Sequence, residues 1–393
     1  MNKYEKSVIR QLEKHSMEIG FIVVVLFGIT IRLALRHYVS DDAERFLLPW
    51  YDTIKANGGI KSLSRQVGDY NVLYQFLIAV FTYLPLNALT DYKLMSIIFD
   101  ILLSAVGGLI VWKVTEKNML KAFMCTAAVF LSPIVFLNSA CWGQCDSIYT
   151  FFCIMTLFLL MEKHYKSAFC MYGLAFAFKL QAVFLLPFML LYYLRKKDFS
   201  ILKFLYVPIM MILTGIPALI QGRTLGDIFG IYSNQVGEYT YRLVWNYSSF
   251  WNLFYNIEKT QYVEMLSRTA IVLTMTILLV IAVWVVVNNV QMTDYNSLWL
   301  AFLTSYACVL FLPSMHERYG YMCETFSLLM ALLNKKTILL MIPMQLCTWL
   351  TYAHYLFGLY YYPRLMTVIN LLVFVGYCMI GCREMRNLHA QTN

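Results

Sequence analysis

The chain has 393 residues, of which 60% are hydrophobic and only 13% charged, against roughly a quarter charged in ordinary soluble domains. This composition excludes a soluble globular protein and predicts an integral membrane protein. The net charge of +9 would also suit a nucleic-acid-binding protein, but basic residues in cytoplasmic loops of a membrane protein explain it more simply. We therefore expect the lipid bilayer, and no nucleic acid, as a partner.

Apolar stretches recur from Met17 to the C-terminus, and each is long enough to cross a hydrocarbon core of about 30 Å as a helix. The first stretch lacks the cleavage site of a secretory signal, so we expect it to be retained. The whole chain, residues 1–393, is then one polytopic all-α transmembrane domain. The predicted spans are about 18–36, 92–112, 120–138, 147–161, 166–178, 181–194, 201–220, 264–288, 297–312, 319–333, 337–354 and 365–382.

The distribution of lysine and arginine predicts the orientation, because positive charge stays on the cytoplasmic side. With both termini in the cytoplasm, the short inner loops hold clusters such as "RKK" at 195–197 and "NKK" at 334–336. The apolar stretch 71–89 would reverse this scheme if it were a span, so we interpret it as a re-entrant or interfacial helix ended by Pro85. Two long external loops, about 37–91 and 221–263, then form the working face of the protein.

Polar clusters lie at the predicted external ends of the spans. Ionisable groups near membrane depth are unfavourable unless they are paired or hydrated, so their placement on one face predicts a common water-filled cavity. The clusters are "SDDAERFLLPW" at 40–50, "GDYN" at 68–71, "WGQCDSIY" at 142–149, "FKLQ" at 178–181 and "MHERYGY" at 315–321.

Several polar residues also have a purely structural interpretation. Asp100, alone in "SIIFDILL", is expected to be a structural hydrogen-bond partner, and Arg32 to snorkel from a span end. Asp69 could cap the helix that follows it. "MHERYGY" could be a salt-bridge knot between Glu317, Arg318 and Asp146. Cysteines at 141 and 145 lack a usual zinc spacing, so we expect no metal.

In this order the clusters resemble the bacterial GT-C membrane glycosyltransferases related to the second GPI mannosyltransferase of eukaryotes. The matching elements are Asp42 with "FLLPW" four residues on, "GDYN", "WGQ" with Asp146, "FKLQ" before "LLP", and "MHERY". The likeness covers about residues 18–330, and the last two spans match only in hydrophobicity. It implies a GT-C-like bundle of about 12 transmembrane helices with re-entrant or interfacial helices in the first external loop.

The resemblance also implies an activity. Such enzymes move one sugar, here a mannose- or glucose-like hexose, from a polyprenyl-phosphate carrier to an external lipid-linked or cell-envelope glycan or glycolipid. They invert the anomeric carbon and need neither a nucleotide sugar nor, usually, a metal, so we expect no cofactor. The expected location is a bacterial plasma membrane with the active site outside.

A catalytic aspartate near the start of the first external loop is implied by the same resemblance. Asp42 has the matching distance to "FLLPW", and Asp41 is its neighbour. A carboxylate must take the proton of the acceptor hydroxyl, and a second carboxylate in a partly dry site can raise its pKa to suit that task. We expect Asp41 to pair with Arg36 or to cap the loop.

The leaving phosphate gains negative charge, so cations and hydrogen-bond donors must stabilise it. Arg318 offers a bidentate fork, Lys179 a point charge and His316 a proton or hydrogen bond, while Glu317 could orient Arg318. The expected substrate-binding residues are Asp69, Tyr70, Asn71, Trp142, Gln144, Asp146, Gln181, Glu317 and Tyr319.

Two other functions suit a polytopic protein with buried charges. One is a secondary transporter of a polar solute, although such proteins usually bind substrate between internal repeats, and no repeat is evident here. The other is a glycan polymerase or ligase that uses a pyrophosphate-linked donor at the same external site.

Overall fold

The computed structural model describes residues 1–238, 241–257 and 262–391, and these are almost entirely helical. The prediction of an all-α polytopic membrane protein is confirmed. The second predicted external loop, 221–263, is described apart from residues 239–240 and 258–261.

The first part of the chain contains two helices long enough to be spans, α2 and α5, and several short helices. Helix α4 has ten residues and is therefore about 15 Å long, half the thickness of a hydrocarbon core. It ends before a turn that contains Pro85, so the stretch 71–89 does not form a span. The elements are α1 Lys3–Lys14, α2 Ser16–Leu35, a π-helical turn Ala43–Leu47, α3 Leu48–Ala56, a 3-10 turn Gly59–Ser64, α4 Val72–Phe81 and α5 Ala88–Val114.

The middle of the chain contains a break that positions part of the site. Helix α6 ends before Pro133, which lacks an N–H and so cannot continue the helix, and the next segment is bent by 42°. Gly143, at φ +79°, then turns the chain into α8. The elements are α6 Met119–Phe130, α7 Pro133–Phe136, a π-helical turn Leu137–Trp142, α8 Asp146–Met161, α9 Tyr165–Phe178, a 3-10 turn Leu180–Leu185, α10 Leu186–Lys196, a 3-10 turn Ile201–Leu205 and α11 Tyr206–Ile220.

The last part of the chain includes a small parallel pairing that the sequence did not predict. Val244 pairs with Met315 and Trp245 with His316, which joins the second long loop to the "MHERYGY" segment. The elements are α12 Leu225–Glu238, β1 Val244–Trp245, a 3-10 turn Phe250–Ile257, α13 Val263–Val287, α14 Asp294–Phe311, β2 Met315–His316, α15 Tyr321–Leu333, a 3-10 turn Lys335–Thr337, α16 Ile338–Phe357 and α17 Pro363–Gln391.

The predicted span 120–138 is broken into α6 and α7, and each of the other predicted spans coincides with one helix or with a helix and the turn before it. Within the described ranges, five helical segments are long and apolar enough to cross a membrane alone, and the bent α6–α7 segment can form a sixth. Helices α14 and α15 are buried at nearly every residue, whereas α2 and α13 expose most of their apolar surface. The exposed pair therefore suits lipid contact, and the buried pair lies inside the bundle.

The prediction that Arg32 snorkels is wrong. Its side chain is buried and donates to one carboxylate oxygen of Asp100 from Nη2 at 2.8 Å and from Nε at 3.1 Å. Ser139 Oγ donates to the same oxygen at 2.5 Å, so Asp100 has the structural role expected of it. A buried charge needs a partner of opposite sign, and this partner lies on another helix.

Candidate active site

A cavity of about 430 Å³ lies where the first long loop, the start of the 3-10 turn after α9, the second long loop and the "MHERYGY" segment meet. The clusters that were predicted to share one face therefore do meet in space. The predicted site residues that line this cavity are Asp42, Asp69, Tyr70, Gln144, Lys179, Gln181, His316, Glu317, Arg318 and Tyr319.

Both oxygens of the Asp42 carboxylate accept hydrogen bonds. Trp142 Nε1 and Gln144 Nε2 each donate to Oδ2 at 2.9 Å. The hydroxyl of Tyr355 donates to Oδ1 at 2.6 Å. Because three donors from two distant parts of the chain fix the group, its orientation in the cavity is set before any substrate binds.

Asp41 points away from this cavity. Its side chain is 72% exposed and lies 3.7 Å from Arg45, one turn further along the same helical stretch. The expected pairing with Arg36 is therefore wrong, since Arg36 contacts His37 instead. Side chains of adjacent residues diverge, so Asp41 does not supply the second carboxylate beside Asp42.

Arg318 lies among three carboxylates. Its Nη1 is 3.5 Å from Asp42 Oδ2 and 3.6 Å from Glu317 Oε1, and its Nε is 3.7 Å from Asp146 Oδ2. The salt-bridge cluster considered from the sequence thus exists, and it extends to Asp42. All three separations exceed the usual length of a direct hydrogen bond, so the guanidinium keeps N–H groups that can turn to a ligand in the cavity.

Lys179 forms the second cationic centre. Its ammonium group donates to Asp146 Oδ1, and both side chains are buried. Asp146 Oδ2 accepts from Asn138 Nδ2 at 2.9 Å. Asp146 is the first residue of α8, where the helix dipole favours a negative charge. It lies behind the cavity wall and holds Lys179 in place.

Two ionisable side chains beside Arg318 have shifted pKa values. Burial raises the pKa of Glu317 to about 7, although the charge of Arg318 opposes this. Burial, together with the positive charges of Arg318 and Lys179, lowers the pKa of His316 well below its usual value. His316 is therefore neutral near pH 7, and its ring stacks on Trp245 with centroids 5.3 Å apart. As a neutral ring it can donate or accept a hydrogen bond with a ligand, but it adds no positive charge.

Three of the expected substrate-binding residues do not line the cavity: Asn71, Trp142 and Asp146. Asn71 Nδ2 donates to the carbonyl of Phe176 at 2.9 Å, and so ties the start of α4 to α9. Trp142 is buried against Tyr355 with ring centroids 4.5 Å apart. Each of them supports a cavity residue from behind. Asp69 does line the cavity, and the N-cap of α4 is Asn71, so the capping alternative for Asp69 is wrong.

Several cavity residues were not predicted from the sequence. Tyr355 belongs to α16, whose sequence gave no polar cluster to mark it. Leu180 lies within "FKLQ". The others lie in the two long loops, whose aromatic stretches are equally typical of membrane-interface anchors. These residues are Phe46, Leu47, Trp50, Leu180, Gln235, Tyr241, Arg242, Trp245, Asn246 and Tyr355.

Comparison with known families covers the central part of this site. The family model described as Glycosyltransferase family 87 matches residues 70–314, which is more than half of the chain. No curated protein matches the chain. The matched region includes Gln144, Asp146 and Lys179, and it ends two residues before His316. The expectation of a GT-C membrane glycosyltransferase is confirmed, and the chain belongs to glycosyltransferase family 87.

Proposed function

We propose that this glycosyltransferase moves one mannose- or glucose-like hexose from a polyprenyl-phosphate carrier to a lipid-linked or cell-envelope glycan, with inversion. The site would face the outside of a bacterial plasma membrane, with both termini in the cytoplasm. The observation that carries the proposal is the 3.5 Å separation of Asp42 Oδ2 and Arg318 Nη1 in one cavity. A proton acceptor and a phosphate-binding cation are thereby adjacent.

Asp42 is the proposed general base. It takes the proton of the acceptor hydroxyl while that oxygen bonds to the anomeric carbon and the bond from this carbon to the phosphate oxygen breaks. Because Trp142 and Gln144 both bind Oδ2, the oxygen Oδ1 has fewer partners and is the proposed proton acceptor. Attack from the side opposite the phosphate inverts the anomeric carbon.

Arg318 and Lys179 are the proposed donor-phosphate ligands. The phosphodiester of the donor becomes a monoester as the bond breaks, so negative charge grows on it in the transition state. Arg318 can bind two phosphate oxygens at once, and Lys179 adds a charge that is already desolvated. Arg242, from the second long loop, lines the same cavity and brings a third cation. These side chains supply the charge stabilisation, and the proposal needs no cofactor.

The direct test is transfer by the purified protein in lipid nanodiscs. Radiolabelled polyprenyl-phosphate-mannose and polyprenyl-phosphate-glucose are offered with a glycolipid acceptor, and labelled product is separated by chromatography. We expect transfer from at least one donor. Uptake of a free sugar by proteoliposomes without any transfer would favour the transporter, and transfer only from a pyrophosphate-linked donor would favour the polymerase or ligase.

Tyr355→Phe is expected to lower kcat about tenfold while the KM for the donor stays unchanged. The ring still stacks on Trp142, but the hydrogen bond that orients Asp42 is lost, and a bond to a charged group contributes about 1.5–3 kcal/mol. Tyr360→Phe is the control, because Tyr360 is 77% exposed. A Tyr355→Phe variant with normal kcat would show that Tyr355 does not position Asp42.

The affinity for the donor is expected to rise as pH falls from 8 to 6. Glu317, with a pKa of about 7, takes up a proton in this range and removes one negative charge beside Arg318. The Kd of a non-hydrolysable phosphodiester analogue, whose own charge is constant in this range, should fall by roughly threefold to tenfold. Glu317→Gln should abolish the trend, and a trend that survives in this variant would assign it to another group.

The orientation can be tested by cysteine labelling in intact cells. Lys61→Cys, in the first long loop, should react with a membrane-impermeant thiol reagent, and Lys335→Cys should not, because both positions are exposed but lie on opposite predicted sides. The native cysteines are buried or half-buried, so the unsubstituted protein gives the background. Labelling at position 335 would reverse the topology and remove the external site.

A further inference from the structure

We propose that Phe46 and Trp50 form the subsite that binds a pyranose ring of the acceptor glycan. This inference rests on the proposed transfer reaction and names the residues that bind the acceptor at the mouth of its cavity. In the sequence both rings belong to "FLLPW", which supports the assignment of Asp42 but gives neither ring a binding role of its own.

The two rings lead away from Asp42 along one side of a helix. Asp42, Phe46 and Trp50 follow one another at intervals of four residues, through the π-helical turn and into α3, and all three line the cavity. The ring centroids of Phe46 and Trp50 are 5.8 Å apart. A sugar ring that lies on this pair can therefore present a hydroxyl to the carboxylate next to it.

The two ends of the cavity differ in the solvent exposure of their side chains. Phe46 is 45% exposed, whereas the side chains of Arg318 and Lys179 are 15% and 6% exposed. Arg318 and Lys179 therefore lie deep in the cavity, and Phe46 lies at its mouth. A donor phosphate bound at the deep end leaves the mouth for the acceptor, whose remaining sugars can extend into solvent.

Neighbouring residues hold the indole of Trp50 in place, so its face can serve as a stacking surface for a ligand. Gly68 has a φ of +72° and packs so closely that a Cβ there would lie 2.5 Å from Trp50 Cδ2, and Tyr70 contacts the indole at 79°. Trp245, across the cavity, is already engaged by His316, by Arg242 at 4.5 Å and edge-on by Tyr241. Of these two cavity tryptophans, Trp50 is the better placed to stack on a ligand.

Polar groups in the same cavity match a hydroxylated ring. Gln181, Gln235, Asn246 and Asp69 line the same cavity. An amide side chain both donates and accepts, as a sugar hydroxyl does, while the aromatic rings fit the apolar C–H face of a pyranose. Sites that combine aromatic walls with a few such polar groups are typical of small-molecule ligands.

The test compares KM values for acceptor and donor in nanodiscs, with dye-tagged hexyl mannoside and hexyl glucoside as acceptor probes and a serine-containing peptide as the other class. Trp50→Leu is expected to raise the glycoside KM roughly threefold to tenfold, because one stacking contact is lost, and to leave the donor KM unchanged. Trp50→Phe should retain most of the affinity. Trp349→Leu is the matched control, because Trp349 is 38% exposed on α16 and lies outside the cavity lining.

Gly68→Ala gives a second route to the same result, since the added methyl group must displace the indole. It should raise the glycoside KM as Trp50→Leu does. The subsite would be contradicted if these variants raised the donor KM and left the glycoside KM unchanged. It would also be contradicted if the wild type transferred sugar only to the peptide. If the wild type transfers sugar and Trp50→Leu behaves like Trp349→Leu, only the subsite fails. A wild type that transfers from no donor overturns the proposed function and the subsite together.

Discussion

Asp42→Asn is expected to reduce turnover by roughly two to four orders of magnitude, the usual contribution of a general base. Asparagine keeps the size of the side chain and one oxygen that can accept from Trp142 or Tyr355. It cannot take the proton of the acceptor hydroxyl. Donor binding should persist, so the loss should appear in kcat when sugar transfer is measured at saturating donor.

Asp41→Asn is the matched control for this result. Asp41 has the same side chain, is the preceding residue and is 72% exposed outside the cavity, so its variant should be close to wild type. The double variant should lose little more than Asp42→Asn alone, because one carboxylate acts in the chemical step. An inactive Asp41→Asn beside an active Asp42→Asn would move the base by one residue and contradict the proposed site.

Arg318→Lys is expected to weaken the donor step by roughly tenfold to a hundredfold although the charge is kept. Lysine cannot bind two phosphate oxygens in the geometry of a guanidinium, and a hydrogen bond to a charged group contributes about 1.5–3 kcal/mol. The measurement is the donor KM together with single-turnover transfer. Arg45→Lys, at an exposed position outside the cavity, is the control.

The salt-bridge alternative makes a different prediction for the same variant. If Arg318 only neutralises Asp42, Glu317 and Asp146, then Arg318→Lys should transfer sugar at the normal rate once folded and should show only a lower melting temperature. Normal turnover with reduced stability would therefore assign Arg318 to the structure and leave Lys179 and Arg242 as the donor ligands.

Much of the fold could be predicted because hydrophobic length and charge placement act locally along the chain. The helices follow from apolar stretches, and the clusters "FKLQ" and "MHERYGY" share one end of the bundle because each adjoins a span at the same predicted side. That reasoning places Lys179 and Arg318 in one cavity without any knowledge of tertiary contacts.

The remainder of the site depends on tertiary contacts that no local pattern carries. Tyr355 reaches Asp42 from a helix 313 positions further along the chain, and Arg32 meets Asp100 across 68 positions. Within a cluster, the direction of each side chain decides its role. Gln144 faces the cavity while Asp146, two residues on, lies behind its wall.

The family match and the cavity overlap only in part. The match covers residues 70–314, whereas Asp42, Arg318 and Tyr355 lie outside it. The matched region contributes Lys179 and Gln144, and the flanking segments contribute the proposed base and the proposed bidentate phosphate ligand. Family membership thus supports glycosyl transfer. The proposal of a polyprenyl-phosphate donor rests instead on the geometry around Arg318.

The lipid product of the reaction tests the central claim most directly. Wild-type protein in nanodiscs is incubated with a polyprenyl-phosphate-hexose and a glycolipid acceptor, and the lipid released is identified and quantified by mass spectrometry. We expect one polyprenyl monophosphate for each hexose transferred, and at least roughly a hundredfold less from Asp42→Asn over the same interval. Transfer without release of the monophosphate, or release that Asp42→Asn leaves unchanged, would contradict the proposed donor and base.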